Sequence, residues 1–427
     1  MTDTIFAVSS GAPPAAIAVL RISGPGAGSA LTMMTGRRPP PRRASLRTVS
    51  DPATGDRLDH ALVLWFPGPA TATGEDLAEL HLHGGRAVVA AVERALATIQ
   101  GLRRAEPGEF TRRALANGRI DLAEAEGLGD LLTAETETQR RAALFSVEGA
   151  VGRAVAEWNR QLLDLSARIE AMLDFADEDD VAPEALSNTN TRIAQLADAI
   201  AAVLTNPPVE RLRDGIRVVL AGAPNAGKST LLNALAQREA AIVSPIAGTT
   251  RDRIEVPVVR DGIAYLLTDV AGLAAVTDDP IEQIGIIRAQ ESIRAADVLI
   301  LFDDTIEPPP DIATIRIRAR ADIDPVRSDS RLAVSALTGL GTERLWTEIA
   351  AVSAVLLPRL DRLVFNQRQR DLCREAETAL RTAASEDDPL IVAEHCRLAR
   401  QAFDRITGAA DTEAMLDSLF TRFCIGK

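Results

Sequence analysis

The sequence is poor in lysine and cysteine, and each shortage narrows the choice of function. Only two of the 47 basic residues are lysine, Lys228 and Lys427. Each is therefore a candidate for a task that needs a compact ammonium group rather than a guanidinium. The three cysteines, at positions 373, 396 and 424, cannot all pair and are too few for a disulfide scaffold. We therefore expect a protein of a reducing compartment.

Long apolar runs are also missing. No run approaches the roughly 18 residues of a membrane-spanning helix, and residues 1–14 have neither the basic start nor the apolar stretch of a signal peptide. The net charge of −13 excludes a protein that coats nucleic acid through bulk positive charge, so RNA contact would need local basic patches. We expect a cytoplasmic protein that binds neither membrane nor DNA.

The patterning indicates an α/β multidomain protein. With 427 residues, 46% of them apolar, the chain is long enough for about three domains. Residues 1–118 mix strand and helix patterns, which indicates an α+β domain. Residues 119–211 and 353–427 have helical spacing, whereas residues 212–352 alternate strand and helix, which is typical of a parallel α/β domain. We predict an inserted α/β domain that splits one all-α helical domain into two parts.

The strongest motif is a phosphate-binding loop at residues 222–229. An apolar strand pattern leads into Gly-x-x-x-x-Gly-Lys-Ser, and a helical pattern follows, which is the context that this motif requires. Its glycines let backbone N–H groups turn toward phosphates, Lys228 would reach the β- and γ-phosphates, and Ser229 would ligate Mg²⁺. The candidate nucleotide-binding residues of this loop are Asn225, Ala226, Gly227, Lys228, Ser229 and Thr230.

Two segments after the loop extend the site. The threonine pair Thr249 and Thr250 lies about 20 residues downstream, where a threonine can close over Mg²⁺ and the γ-phosphate as a switch. A hairpin pattern then ends in Asp269, and Gly272 follows three residues later. The carboxylate suits a metal site, and the Gly272 backbone suits a γ-phosphate contact.

The base-recognition motif is degenerate. Guanine-selective GTPases use Asn-Lys-x-Asp after a strand, and here residues 319–322 read Ala-Arg-Ala-Asp. Asp322 would still accept hydrogen bonds from guanine, Arg320 would stack on the base as a lysine stem does, and Ser335 with Ala336 would supply a backbone N–H. Residues 303–311, with three consecutive prolines, are too short for the usual crossover helix. We expect guanine preference with weakened affinity.

With these residues assembled, the chain resembles the MnmE (TrmE) family of tRNA-modification GTPases over nearly its whole length. The resemblance rests on residues 20–24, 74–76 with 79 and 83–85, 107–111, 121–126, the phosphate loop, residues 248–252 and the terminal Cys-Ile-Gly-Lys at 424–427.

The resemblance implies a Ras-like P-loop GTPase domain that is activated by potassium. It assigns Mg²⁺ contacts to Ser229 and Thr250 and a water-orienting role to Glu282. The implied K⁺ site comprises Asn225, Ser244, Ile246 and Thr249. Potassium beside the phosphates would stabilise transition-state charge as an arginine finger does.

For the N-terminal domain the resemblance implies dimerisation and binding of 5-formyl- or 5,10-methylene-tetrahydrofolate. The implied folate residues are Arg21, Glu79, Arg119 and Lys427. Cys424 would lie near the folate, where a thiolate would add to C6 of uracil; that step is a hypothesis. A homodimer would join an MnmG-type FAD protein in a heterotetramer, which places an aminomethyl or carboxymethylaminomethyl group on C5 of the wobble uridine of certain tRNAs.

Two other interpretations stay open. One is a ribosome-associated GTPase of the Era or Der type, although these carry an RNA-binding module where this chain is helical. The other is a folate-binding protein whose nucleotide domain is vestigial, which the degenerate base motif allows. The arginine-rich segment 37–47 is a candidate for tRNA contact, and His81 with His83 is an isolated pair at metal-ligand spacing.

Overall fold

The structure is a computed structural model that divides into two compact units. It describes residues 3–174, 183–237, 240–241, 254–270, 280–303, 306–323, 331–409, 419–420, 423 and 426, with backbone only at 183–185, 240–241, 254 and 280–286. The first unit comprises Met1–Gly129, Ser146–Ala156 and Phe403–Lys427, and the second comprises Asp130–Phe145 and Glu157–Ala402. The predicted domain boundaries at residues 118, 211 and 352 stay predictions.

A six-stranded sheet forms the centre of the first unit. Its elements are β1 (Thr4–Val8), β2 (Ile17–Ser23), α1 (Ala27–Thr35), β3 (Ser45–Ser50), β4 (Arg57–Phe66), β5 (Leu77–His83), α2 (Arg86–Ala97), β6 (Leu102–Arg104), α3 (Glu109–Ala116) and most of α4 (Leu122–Thr133). The strand order is β3-β4-β5-β2-β1-β6, antiparallel except for the parallel pair β1–β6.

The alternation within these strands separates two faces of the sheet. Leu20 and Ile22 of β2 and Leu80 of β5 are buried in one core with α1 and α2, which contribute Leu31 and Leu96. Their neighbours along each strand point to the other face, because side chains alternate across a strand. Arg21 and Glu79 therefore lie on that second face, directly opposite each other in register.

Helices precede and follow the second sheet, and the predicted long helical stretch is broken. It forms α4 and then α5 (Glu137–Val147), α6 (Ala150–Asp174), α7 (Pro183–Leu204) and the short α8 (Glu210–Asp214). The helical pattern alone predicts no break between α4 and α6. Gly149, with φ +78°, marks one break, and a cap at Thr136 marks the other. After the sheet, α12 (Gln367–Ser385) packs along α7, and α13 (Pro389–Thr407) follows.

The second unit contains a seven-stranded sheet. Its elements are β7 (Ile216–Ala221), α9 (Lys228–Gln237), β8 (Ala240–Ala241), β9 (Ile254–Arg260), β10 (Ile263–Asp269), α10 (Pro280–Arg294), β11 (Val298–Leu301), β12 (Ala313–Arg318), β13 (Leu332–Ala333) and α11 (Thr342–Leu356). The order is β13-β12-β11-β7-β10-β9-β8, parallel from β13 to β10 and antiparallel beyond it. The α/β multidomain fold class is thereby confirmed.

Helices cover both faces of this sheet, and one crossover lacks a helix. Leu231 of α9 and Trp346 of α11 pack on one face, and Ile293 of α10 packs on the other. The described residues between β11 and β12 contain no helix, as the prolines predict. None of the helices in the described residues is long and apolar enough to cross a membrane.

Candidate functional site

The phosphate loop joins β7 to α9 with the backbone turns that the motif requires. Asn225 and Gly227 both have positive φ, 63° and 97°. A Cβ at Gly222 would lie 2.7 Å from the Cβ of Phe302, so only glycine lets the loop leave the strand beside β11. The loop ends where α9 begins, and a loop of this form that leads into a helix N-terminus suits an anion.

Lys228 is nearly buried, with 6% of its surface exposed. Its Nζ donates to the carbonyl oxygens of Gly222, at 3.1 Å, and Ala223, at 3.0 Å. Burial lowers the pKa of this amine, and the carboxylates of Asp269 and Asp303 oppose that shift. The ammonium therefore lies against the loop with two neutral acceptors, where a phosphate oxygen would be a stronger partner.

Ser229 and Asp269 meet beside the loop. The Ser229 hydroxyl donates a short hydrogen bond to Oδ2 of Asp269, the last residue of β10. The other carboxylate oxygen, Oδ1, is buried and has no hydrogen-bond partner among the residues that the structure describes. Mg²⁺ binds oxygen ligands, and the site offers the Ser229 hydroxyl and the Asp269 carboxylate, whose Oδ1 has no other partner among the described residues. These residues therefore fit that ion.

Asp303 is a site residue that the sequence interpretation missed. Its Oδ2 accepts a hydrogen bond of 2.8 Å from the backbone N–H of Ala223, so it fixes the first turn of the loop. Asp303 follows β11, the neighbour of β7, and carboxyl ends of parallel strands meet at one edge. The position of β11 beside β7 in the sheet is the feature that would have indicated Asp303.

The base-recognition residues lie on two adjoining turns. Ala321 donates to the carbonyl of Val334 at 3.2 Å, which brings the turn containing Asp322 beside Ser335. Arg320 has positive φ, 55°, and its Nη2 donates to the carbonyl of Asn225 at 2.5 Å. The guanidinium therefore joins the base-side turn to the phosphate loop. Ala336 is half-buried against the core of the sheet.

In the first unit, the structure brings Arg21 and Glu79 together. Arg21 donates from Nε and Nη2 to Oε1 of Glu79 at 3.1 and 2.8 Å, and His81 Nε2 lies 3.3 Å from Oε2. Arg119 is exposed at the end of the turn after α3, and its stem packs beside Gly74. His81, which the sequence indicates only as one of a pair at metal-ligand spacing, is a second neighbour of this carboxylate.

The C-terminal segment contacts β1. The Ser9 hydroxyl donates to the carbonyl of Gly426 at 2.6 Å. Gly426 has φ +99°, and a Cβ there would lie 1.9 Å from the carbonyl oxygen of Val8, so no other residue fits. Since Ala7, the neighbour of Val8, pairs with Arg21, this contact lies one residue from the Arg21–Glu79 row. Gly426 belongs to the predicted terminal tetrapeptide.

Several predicted residues lie outside the described part of the chain. Nothing is described of Ser244, Ile246, Thr249, Thr250, Gly272, Cys424 and Lys427. Glu282 lies in the first turn of α10, where only the backbone is described, and Thr230 is an exposed residue of α9.

The two histidines do not form a metal centre. His83 bonds to Asp59 through Nδ1 at 2.7 Å, whereas His81 faces Glu79. Across the described ranges, no group of three or more His, Cys, Asp or Glu side chains is placed to hold a metal ion. Both histidines have carboxylate partners of their own.

Comparisons with known proteins cover the whole chain. Two family models match it: the MnmE helical domain over residues 122–424 and the GTP-binding protein TrmE N-terminus over residues 4–119. The tRNA modification GTPase MnmE of Erythrobacter litoralis is 54% identical over 425 residues, which span both chains completely. The protein of that name from Rhizorhabdus wittichii is 56% identical over 429 residues, covering all of this chain and 97% of that one. The chain therefore belongs to the MnmE (TrmE) family of tRNA modification GTPases.

Proposed function

We propose that this protein is a potassium-activated GTPase that modifies C5 of the wobble uridine of certain tRNAs together with an MnmG-type FAD protein. One observation carries the GTPase part of the proposal: Lys228, Ser229 and Asp269 converge at one end of β7 and β10, beside a phosphate loop that leads into the N-terminus of α9. The part of the proposal that concerns tRNA is supported by the chain's membership of a family of tRNA modification GTPases.

The residues of the nucleotide site have different roles in binding and hydrolysing GTP. The loop backbone and Lys228 bind the phosphates, and Ser229 with Asp269 and Thr250 hold Mg²⁺. The ion supplies charge stabilisation on the β- and γ-phosphates as the terminal phosphoryl group leaves. Glu282, in the first turn of α10, orients the attacking water, and the Gly272 backbone donates to the γ-phosphate.

Potassium binds at the loop beside the phosphates. Asn225, whose positive φ fixes the loop turn, ligates the ion together with Ser244, Ile246 and Thr249. The cation supplies positive charge for the transition state where this chain's loop has no arginine of its own.

Guanine binds between the two base-side turns. The Asp322 carboxylate accepts hydrogen bonds from the base, and the backbone after Ser335, at Ala336, donates to its oxygen. Arg320 replaces the usual lysine and also contacts the Asn225 carbonyl, which supports a role for it in shaping this end of the site. The missing asparagine lowers the affinity for GTP.

The first unit binds a formyl- or methylene-tetrahydrofolate and forms the homodimer. Arg21, Glu79, Arg119 and Lys427 hold the folate, which supplies the one-carbon unit. Support comes from the open sheet face: beside the Arg21–Glu79 row, Ile17 is 58% exposed. An apolar surface of this kind favours association with a second copy.

The uridine is modified where the C-terminal segment meets that row. Cys424, two residues before the tightly fitted Gly426, adds to C6 of the uracil ring through its thiolate, which makes C5 nucleophilic. C5 then bonds to the one-carbon unit that the folate supplies. A base takes the C5 proton, and the electron pair of that C–H bond re-forms the C5–C6 double bond and expels the thiolate from C6. We place the reaction in the cytoplasm.

The test is GTP turnover by the full-length protein in KCl and in NaCl at equal ionic strength. We expect strong activation by K⁺, loss of turnover in Lys228→Ala, and unchanged turnover in Arg344→Ala, an exposed residue of α11. No turnover in either salt would overturn the GTPase assignment and leave a folate protein with a vestigial nucleotide domain. A second experiment supplies this gene to a host that lacks it and analyses the nucleosides of the host's tRNA. A tRNA-modifying protein restores the modified uridine, whereas an Era- or Der-like GTPase does not.

A further inference from the structure

An unusually basic stretch lies near the start of this acidic protein. Residues 4–50 contain six arginines and not one aspartate or glutamate, although the chain has 60 acidic residues against 47 basic ones. Four of the six arginines, Arg37, Arg38, Arg42 and Arg43, belong to the loop that joins α1 to β3. All four are exposed. We call them the arginine loop.

The loop is held in place by two aromatic residues at the end of β4. The guanidinium carbon of Arg38 lies 4.8 Å from the ring centroid of Trp65, and that of Arg42 lies 5.8 Å from Phe66. The backbone N–H of Arg42 donates to the carbonyl of Trp65 at 2.8 Å, and its side chain donates to the carbonyl of Ala70. Contacts of this kind fix the plane of a guanidinium group.

The arginine loop brings together four basic groups that have no ion pair within the described part of the chain. Among the described residues, no ion pair joins Arg37, Arg38, Arg42 or Arg43 to a carboxylate. Some arginines elsewhere in the same unit are paired, such as Arg21 with Glu79 and Arg103 with Asp3 and Glu109. In a chain with an excess of acid, four neighbouring arginines of this kind present positive charge to an external anion.

We propose that the arginine loop binds the phosphodiester backbone of tRNA. The inference rests on the proposed action on tRNA and names a surface of this chain that the RNA contacts. The guanidinium of Arg38 is held on an aromatic face that leaves its N–H edge for a partner, whereas Arg42 gives one N–H to Ala70. A guanidinium edge matches two phosphate oxygens at once. Phosphate contacts fix the position of a nucleic acid without reading its sequence. The loop therefore orients tRNA, and base recognition lies elsewhere.

The composition of the loop favours RNA over an acidic protein as the partner. Protein interfaces draw most of their affinity from apolar or aromatic anchors that become buried. Trp65 is already 4% exposed beneath Arg38, and residues 36–44 include no exposed large hydrophobic side chain. What the loop offers a partner is charge and N–H groups.

The experiment measures binding of labelled tRNA to the full-length protein by fluorescence anisotropy over a range of KCl concentrations. The test variant is Arg37→Gln with Arg43→Gln, because neither side chain stacks on an aromatic ring. The control is Arg160→Gln with Arg397→Gln, which removes two exposed arginines that pair with carboxylates. We expect the slope of log K against log[KCl] to fall by about 0.7–0.9 for each phosphate that the test variant no longer binds. The control should keep the wild-type slope.

A second variant moves an arginine without changing the charge. A Cβ at Gly28 would lie 2.7 Å from the guanidinium carbon of Arg38 and 2.9 Å from Cη2 of Trp65, so Gly28→Ala disturbs the stacking of that arginine on the ring. We expect weaker tRNA binding with a folded protein, which circular dichroism verifies.

Three results would overturn the proposal: a wild-type protein that does not bind tRNA at low salt, test and control variants with equal slopes, or competition by polyglutamate as strong as that by RNA of equal charge. The last would assign the loop to an acidic protein. GTP turnover, measured on the same samples, reports on the proposed enzyme separately, because no arginine of this loop belongs to the nucleotide site.

Discussion

Arg113 has no exposed surface and is surrounded by carboxylates. Its guanidinium lies 3.0 Å from Asp3, 3.1 Å from Glu75 and 3.0 Å from Glu109. These residues lie just before β1, in the loop before β5 and in α3, so a single side chain joins three parts of the first unit. A buried charge of this kind is retained only while its partners stay in place.

Replacing Arg113 with methionine should destabilise the first unit. The change leaves the Glu75 carboxylate without its arginine partner and Asp3 and Glu109 with Arg103 alone, and breaking a buried pair costs about 3–5 kcal/mol. Hydrogen exchange of peptides from β1 and β2 should accelerate strongly. Arg94→Met, at an exposed position of α2, serves as the control and should leave exchange unchanged. Slow exchange in both variants would contradict the assigned role.

The same cluster predicts a dependence of stability on pH. Burial alone would raise the pKa of the Glu109 and Asp3 carboxyls, but their hydrogen bonds and charge interactions with Arg103 and Arg113 lower both overall. A lowered pKa means that the unfolded state binds more protons, so these groups stabilise the fold above their ordinary values of 4.5 and 3.8. We expect this contribution to be lost as the pH falls below that range, and to be smaller in Arg113→Met, where only Arg103 still lowers the two pKa values. Urea midpoints between pH 7 and pH 3 measure it.

At the nucleotide site, Arg320 should contribute to GTP affinity. Arg320→Ala removes the hydrogen bond to the Asn225 carbonyl, and for an exposed charged donor we expect a loss of about 1 kcal/mol, or roughly fivefold in affinity. Arg320→Lys keeps a cation and should recover part of the loss. Binding of a fluorescent GTP analogue measures both. Equal affinities for wild type and the alanine variant would show that this hydrogen bond does not shape the site.

At the scale of elements, a capping box shows where pattern and structure differ. Apolar spacing runs on through residues 119–174, yet α5 begins after Thr136, whose Oγ1 accepts from the backbone N–H of Gln139. Gln139 Oε1 accepts in return from the backbone N–H groups of Glu135 and Thr136. The signature Thr-x-x-Gln marks a helix start inside a helical pattern, so an interpretation by periodicity alone passes over it.

Gln139 has a further role, because its Nε2 donates to the carbonyls of Leu212 and Arg213, both at 3.0 Å. The side chain thus ties the start of α5 to α8, just before the first strand of the nucleotide sheet. Gln139→Leu leaves those carbonyls without this donor, and we expect a local cost of about 1–3 kcal/mol. Hydrogen exchange around residues 135–140 and 212–216 should accelerate. The control is Gln161→Leu, which removes a surface bond to Glu157 and should not change exchange there.

How much of the site could be predicted depends on how local each part is. The phosphate loop is contiguous, so Lys228 and Ser229 followed from the motif. Asp303 depends on β11 lying beside β7, and that strand order is not written in any short segment. The residues that the resemblance indicated for folate include Arg21 and Glu79, which meet through an antiparallel register across 58 positions. The alternation of apolar and polar residues along each strand predicts the sheet face on which Arg21 and Glu79 lie. It does not predict that the two side chains are partners.

At the scale of the whole molecule, we expect the proposed homodimer to form through one face of the first sheet. Leu46 and Leu62 pair across β3 and β4 on the face of the Arg21–Glu79 row, and they are 55% and 45% exposed. Leu62→Glu places a charge in this surface, so we expect a monomer in sedimentation velocity. Leu398→Glu, at an exposed position of α13, should remain dimeric. A dimer that survives Leu62→Glu would place the contact elsewhere.

The contact between Ser9 and Gly426 also sets the order in which the protein is completed. It joins positions 417 residues apart, so during synthesis at about 5–20 residues per second β1 waits roughly 20–80 s for this neighbour. The entire nucleotide sheet emerges from the ribosome in that interval. The second unit can therefore fold before the first unit is complete. A nascent chain can form the nucleotide site before its C-terminal segment contacts Ser9.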